Sequence, residues 1–265
     1  MAVRIRRGFA SINWLGIGTL VGLLVVWQLL VSTKIIDYSA IPGPIGIWGG
    51  FKYLIGPQGD LSTALGHTLY CVGIAWLIAV FLGGAAGLLI AANATVASWA
   101  GSTIDLLRSL PVIALIPVAV LIWGIGSKAE IILGAYAGIW PMLLNTAGGA
   151  RSVPPRLREV ARTLRLTRRA TIFKIVMPAT GAAMLVGARL ALATTLVLCI
   201  VAEILSLQSG IGYAVSLEQA GDEPARMWAC VIVIGCLGIL VNFALVRLVR
   251  TLFPGVAAAS ERSQA

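Results

Sequence analysis

Long apolar runs separated by shorter polar connections set the pattern of this chain. Six stretches, roughly 14–32, 67–92, 104–123, 129–147, 178–205 and 227–247, are apolar enough to cross a bilayer. A span needs about 20 such residues to cover a hydrocarbon layer of about 30 Å. Each is predicted to be helical, because a helix satisfies its backbone donors and acceptors within its own segment. The fold class that follows is all-α, a polytopic membrane protein with six transmembrane helices. A Pro/Gly-rich connection covers 33–66, a long polar segment 148–177 and an acidic one 206–226. Inside the runs, Gly83 and Gly87 form a small-xxx-small pair suited to close helix approach. Pro111 and Pro117 interrupt the third run and Pro141 the fourth. Each proline removes a backbone donor, and kinks in adjacent spans suit a pathway that opens and closes.

Composition agrees with this pattern. The chain is 59% hydrophobic and 11% charged, whereas a soluble domain carries about 25% charged residues. Lipid must therefore cover much of the surface. The net charge of +10 does not point to nucleic acid, because the basic residues lie between apolar runs. They act instead as a topology signal. Arg4, Arg6 and Arg7, eight residues from Arg151 to Lys174, and Arg247, Arg250 and Arg262 fall on one side of a six-span bundle. The opposite side carries only Lys34, Lys52, Lys128 and Arg226, together with most of the acids. Both termini are expected to be cytoplasmic. The first run follows three arginines, as in a signal peptide, but it extends roughly 18 residues with no cleavage site at once after it. It is read as a retained span. The expected organisation is an arm at 1–13, a membrane domain at 14–250 and a disordered cytoplasmic tail at 251–265.

One polar segment has helical periodicity of its own. Pro154 and Pro155 suit a helix start, and Leu157, Val160, Ala161 and Leu164 then recur at intervals of three and four. Arg156, Arg158, Glu159, Arg162 and Arg165 occupy the other flank of a short helix at about 154–166. Such a helix either lies on anionic lipid or docks on a protein. Pro178 is read as the start of the next span.

Catalytic chemistry is sparse. There is no Gly-x-x-x-x-Gly-Lys-Ser/Thr sequence for ATP and no His-Glu-x-x-His motif, and no cysteine pair has zinc spacing. No metal site and no cofactor are expected in this chain. The single histidine, His67, reads as an interfacial polar residue, and Cys71, Cys199, Cys230 and Cys236 as buried apolar side chains. Ionisable groups within spans carry a functional hypothesis by default. Arg189 and Glu203 share the fifth run but are separated by roughly 21 Å at 1.5 Å per residue, too far to pair. Asp105 and Arg108 are spaced for an i,i+3 pair. An ion- or proton-coupled carrier would have to use Glu203, and it would leave the basic segment unexplained.

The segment 151–180 resembles the cytoplasmic "EAA" loop by which the permeases of ABC importers dock on their ATPase. Glu159, Val160, Ala161, Leu164 and Pro178 stand at matching positions, and Arg165 occupies the position of a customary glycine. That replacement suggests a longer helix or a different turn. Residues 108–164, 187–215 and 41–51 are similar to permeases for aliphatic sulfonates, taurine and nitrate, so the resemblance covers roughly 40–250. It implies the type I importer permease fold in a bacterial inner membrane. It further implies a homodimer with two copies of an ATPase that binds ATP and Mg, and an extracytoplasmic solute-binding protein. Glu159, Val160, Ala161, Leu164 and Arg165 would then be the ATPase-coupling residues. Glu159 would bond to the ATPase while Ala161 and Leu164 pack into its cleft. An anionic solute calls for donors along its route, and Asn145, Thr146, Arg189, Thr194, Thr195 and Glu203 are the candidates.

Overall fold

The computed structural model describes residues 14–35, 38–57, 59–206 and 209–252. The arm at 1–13 and the tail beyond Leu252 lie outside them. Every element described is helical: α1 (Trp14–Ser32), α2 (Pro44–Ile55), α3 (Leu61–Ala92), α4 (Ala94–Ser109), α5 (Ile116–Trp123), α6 (Ser127–Arg151), α7 (Pro155–Thr163), α8 (Arg168–Thr171), α9 (Met177–Ser206), α10 (Ile211–Ala220) and α11 (Pro224–Leu252).

Three helices form the centre. α3 and α6 make the most extensive contact, followed by α6 and α9. Their closeness has a steric cause. A Cβ added at Gly83 would lie 2.7 Å from the carbonyl oxygen of Ile139, and one at Gly87 would lie 2.7 Å from that of Leu143. The backbones meet because these positions carry no side chain. Residues 83 and 87 face 139 and 143 in the same order, so α3 and α6 run parallel. α9 runs antiparallel to α6, with Thr195 donating to the Gly134 carbonyl at 3.0 Å and Gly138 lying against Ala191. Trp76 of α3 donates through Nε1 to the Ala188 carbonyl at 2.9 Å, joining α3 to α9.

Parallel neighbours require the chain to return between them, and the third expected span makes that return. It is not one helix. α4 and the following helical segment are bent by 76° at a short break, so the described residues hold five long apolar helices, or six spans if the bent pair counts as one. Leu110, immediately before Pro111, is forced into an extended conformation (φ −64°, ψ 128°). A 3₁₀ turn, Val112–Leu115, follows before Pro117 enters α5 near its start. The predicted Asp105–Arg108 pair forms in α4, with Arg108 Nε 2.9 Å from Asp105 Oδ1.

Two further elements differ from the pattern read from sequence. The connection 33–66 contains α2, which packs on the start of α11: Gly50 abuts the Ala225 backbone, and the Arg226 guanidinium lies 3.6 Å above the Tyr53 ring. The fifth span begins ten residues before Pro178, because α8 continues through a π turn, Ile172–Val176, directly into α9. Pro178 has no N–H and its ring crowds the carbonyl four residues back. The π turn, with Met177 N–H donating to the Ile172 carbonyl, widens the helix just ahead of it and absorbs that conflict.

Candidate functional site

The short helix at the polar end of the bundle is α7, slightly shorter than the 154–166 expected. Pro154 caps it in an extended conformation and Pro155 opens it. Its end is the informative part. The Leu166 N–H donates to the Ala161 carbonyl at 3.0 Å and the Arg165 N–H to the Arg162 carbonyl at 2.9 Å. These are the two bonds of a Schellman stop, in which the residue past the cap turns left-handed. That residue is Arg165, at φ 48°. The arginine therefore does not extend the helix: it adopts the left-handed conformation that favours glycine.

The faces of α7 sort the expected coupling residues. Leu157, Val160 and Leu164 are 38%, 48% and 63% exposed and form one apolar stripe, while Ala161 is 3% exposed. Ala161 is thus turned into its own chain, where α7 packs on the π turn, and is not presented outward. Glu159 and Arg165 are exposed.

The six expected path residues do not converge. Thr146, Thr195 and Glu203 are fully buried, Asn145 is half-buried, and Arg189 and Thr194 are exposed. Asn145 donates to the Pro141 carbonyl one turn back at 2.8 Å, and Thr194 Oγ1 to the carbonyls of Leu190 and Ala191. Arg189 is different. Its Nε donates to Asn242 Oδ1 at 2.8 Å, and both line a groove of about 810 Å³ between α9 and α11 whose other walls include Leu185, Leu192 and Leu245. One cation and one amide thus sit in otherwise apolar surroundings.

Glu203 is tied down completely. Its Oε1 accepts from Thr68 Oγ1 at 2.7 Å and its Oε2 from the Gly212 N–H at 2.9 Å. Thr68 Oγ1 in turn accepts from the Ile211 N–H at 3.0 Å. The carboxylate caps the start of α10, where free N–H groups favour negative charge. Gly210 (φ 96°) lies so close to it that no Cβ would fit.

Beside this anchor is a cluster that the sequence reading missed. His67 Nε2 lies 3.0 Å from Glu130 Oε2, 3.0 Å from Ser209 Oγ and 3.5 Å from Cys71 Sγ. The spacing of His67 and Cys71, one helical turn apart, was the available signal. Glu130 opens a different span, and only the parallel packing of α3 and α6 brings it close.

Against known proteins the chain is placed clearly. It belongs to the family of binding-protein-dependent transport system inner membrane components, whose model matches residues 71–258. The chain is 28% identical over 242 residues to the aliphatic sulfonates transport permease protein SsuC of Bacillus subtilis, covering 91% of this chain and 87% of that protein. It is 26% identical over 228 residues to the nitrate import permease protein NrtB of Synechococcus elongatus, covering 82% and 81%. Among solved structures, an inward-facing MetNI methionine ABC transporter matches with a TM-score of 0.65 at 20% identity, covering 72% of this chain and 95% of that one. The all-α permease fold is thereby established, and the chain is a transport component, not an enzyme.

Proposed function

We propose that this chain is the translocation subunit of an ATP-driven importer for a small oxyanion, working by alternating access. The observation that carries the coupling half is the exposed stripe of Leu157, Val160 and Leu164 on α7, with Glu159 beside it. An apolar stripe in a polar loop is a cost unless a partner covers it. A cleft on a separate ATPase is the occupant that the family supports. Two copies of this chain, two ATPases and an extracytoplasmic binding protein make up the proposed assembly. In the proposed topology the α7 end and both termini face the cytoplasm, a placement supported by the excess of Arg and Lys there.

The substrate half rests on Arg189. Sulfonate and nitrate, named for the two relatives, share a delocalised negative charge over planar or trigonal oxygens, which a guanidinium and a neighbouring amide recognise well. A binding protein that selects the solute leaves the permease needing only weak polar contacts.

The test is affinity purification of the tagged chain from its host in mild detergent, with Glu159→Arg alongside. The expected result is an ATPase subunit in the wild-type sample and its loss from the mutant. A permease free of ATPase in several detergents, or a mutant that retains it fully, refutes the docking assignment. Uptake of labelled nitrate and ethanesulfonate into vesicles, with Arg189→Leu as comparison, checks the solute class.

A further inference from the structure

We infer that His67, Cys71 and Glu130 form a binding site for a thiophilic divalent transition metal, zinc first. Their ligating atoms all lie within 4.8 Å of one another. The two separations from the ring nitrogen are close to those around a tetrahedral ion. Zinc bonds of about 2.0 Å to nitrogen and oxygen and 2.3 Å to sulfur put nitrogen and sulfur about 3.5 Å apart and nitrogen and oxygen about 3.3 Å apart. The observed separations are 3.5 Å for His67 Nε2 to Cys71 Sγ and 3.0 Å for His67 Nε2 to Glu130 Oε2. Ser209 Oγ lies beside the ring, 3.0 Å from Nε2 and 3.3 Å from Nδ1, and water would take the fourth position.

Hydrogen bonding alone leaves this cluster poorly resolved. Glu130 Oε2 and Cys71 Sγ both approach His67 Nε2, which carries a single proton or a single lone pair, while Ser209 Oγ lies 3.0 Å from Nε2 and 3.3 Å from Nδ1. Glu130 is 1% exposed, and its Oε1 is buried without a hydrogen-bond partner. A buried carboxylate oxygen left in that state is costly. A dication bound by the ring nitrogen, the sulfur and one carboxylate oxygen would offset the charge of the buried Glu130, and a sulfur, nitrogen and oxygen set selects zinc-like ions over calcium or magnesium. Access is open, since the His67 side chain remains 19% exposed and both His67 and Glu130 lie near the first turns of their helices. The bound ion would join the starts of α3 and α6, and through Ser209 the connection into α10.

The competing account is a plain His67–Glu130 ion pair, and cobalt spectroscopy separates the two. The full chain, purified in detergent with a tag lacking histidine, is titrated with Co²⁺ alone and then with Zn²⁺. One equivalent of cobalt should produce a thiolate-to-metal charge-transfer band in the near ultraviolet, together with intense visible bands of a tetrahedral site, and zinc should displace both. Cys71→Ser is the decisive variant, because it is nearly isosteric and its metal-free melting temperature reports whether the fold survives. It should lose the charge-transfer band, and Glu130→Gln should weaken cobalt binding at least about tenfold. A wild-type protein with no such band, or a band that persists in Cys71→Ser, overturns the proposal.

Discussion

Replacing Arg165 by glycine should stabilise the end of α7. Arg165 holds φ at 48°, a conformation in which an L-residue's Cβ crowds the following carbonyl at a cost of roughly 1–2 kcal/mol. Glycine avoids that cost but adds freedom to the open state, worth somewhat under 1 kcal/mol in the other direction. The net gain is about 1 kcal/mol. Nothing else is lost, because no salt bridge among the described residues involves Arg165. The gain should appear in the two amides that form the stop, Arg165 N–H to Arg162 and Leu166 N–H to Ala161. Hydrogen exchange of peptides covering 155–167 is therefore the assay, and 1 kcal/mol corresponds to roughly fivefold slower exchange. Arg165→Val should move it the opposite way, because a β-branched residue is worse still in this region. If the glycine variant exchanges as fast as wild type or faster, the left-handed stop does not exist and the helix continues past Thr163. On the proposed docking, the same variant should still co-purify with an ATPase, since the turn it favours is the one already present.

Other perturbations follow from the packing. Glu203→Ala leaves the Gly212 N–H without its acceptor and returns the Thr68 hydroxyl to the Ala64 carbonyl alone, and should cost about 1–3 kcal/mol; thermal denaturation in detergent should rank wild type above Glu203→Gln and that above Glu203→Ala, and equal midpoints would mean that the carboxylate is no anchor. Gly87→Ala places a Cβ 2.7 Å from both the Leu143 carbonyl and Thr146 and should destabilise by about 1–3 kcal/mol. Gly101→Ala meets nothing within 4 Å and should be neutral or slightly stabilising, so a smaller effect at 87 than at 101 contradicts the close approach of α3 and α6.

The outline of the bundle was legible because hydrophobic runs of membrane length have few alternatives. The runs around α1, α3, α6, α9 and α11 needed no knowledge of partners. What failed was whatever depends on how helices meet. Pro111 and Pro117 announced an interruption, but not whether it would kink one helix or divide it. Pro178 read as a boundary because proline usually is one, and only a π turn five residues long made it an interior residue. At the site, the α7 periodicity identified the apolar residues but could not say that Ala161 faces inward while Val160 faces out. Glu203 was noticed as an intramembrane acid, yet its partners Thr68 and Gly212 lie on two other helices. Glu130 was hidden for a simpler reason: near the first turn of a span it looks like one more interfacial acid.

Those same tertiary contacts link the two ends of the molecule. The chain from Arg168 to Ser206 is one helical path, about 58 Å at 1.5 Å per residue, so it reaches from the α7 end to the Glu203 anchor. Its one irregularity, the π turn, is where α7 packs. Further along, Gly138 abuts Ala191, and Gly134 lies against Cys199 and Thr195, contacts too close to slide without a clash. A displacement of α7 would therefore reach α9 through Ile172–Val176, and beyond it the closely packed α3, α6 and α9. The Arg189 groove lies outside this block's tightest contacts, between α9 and the less closely packed α11. In this arrangement the more loosely packed separation between α9 and α11 is the one that contains Arg189.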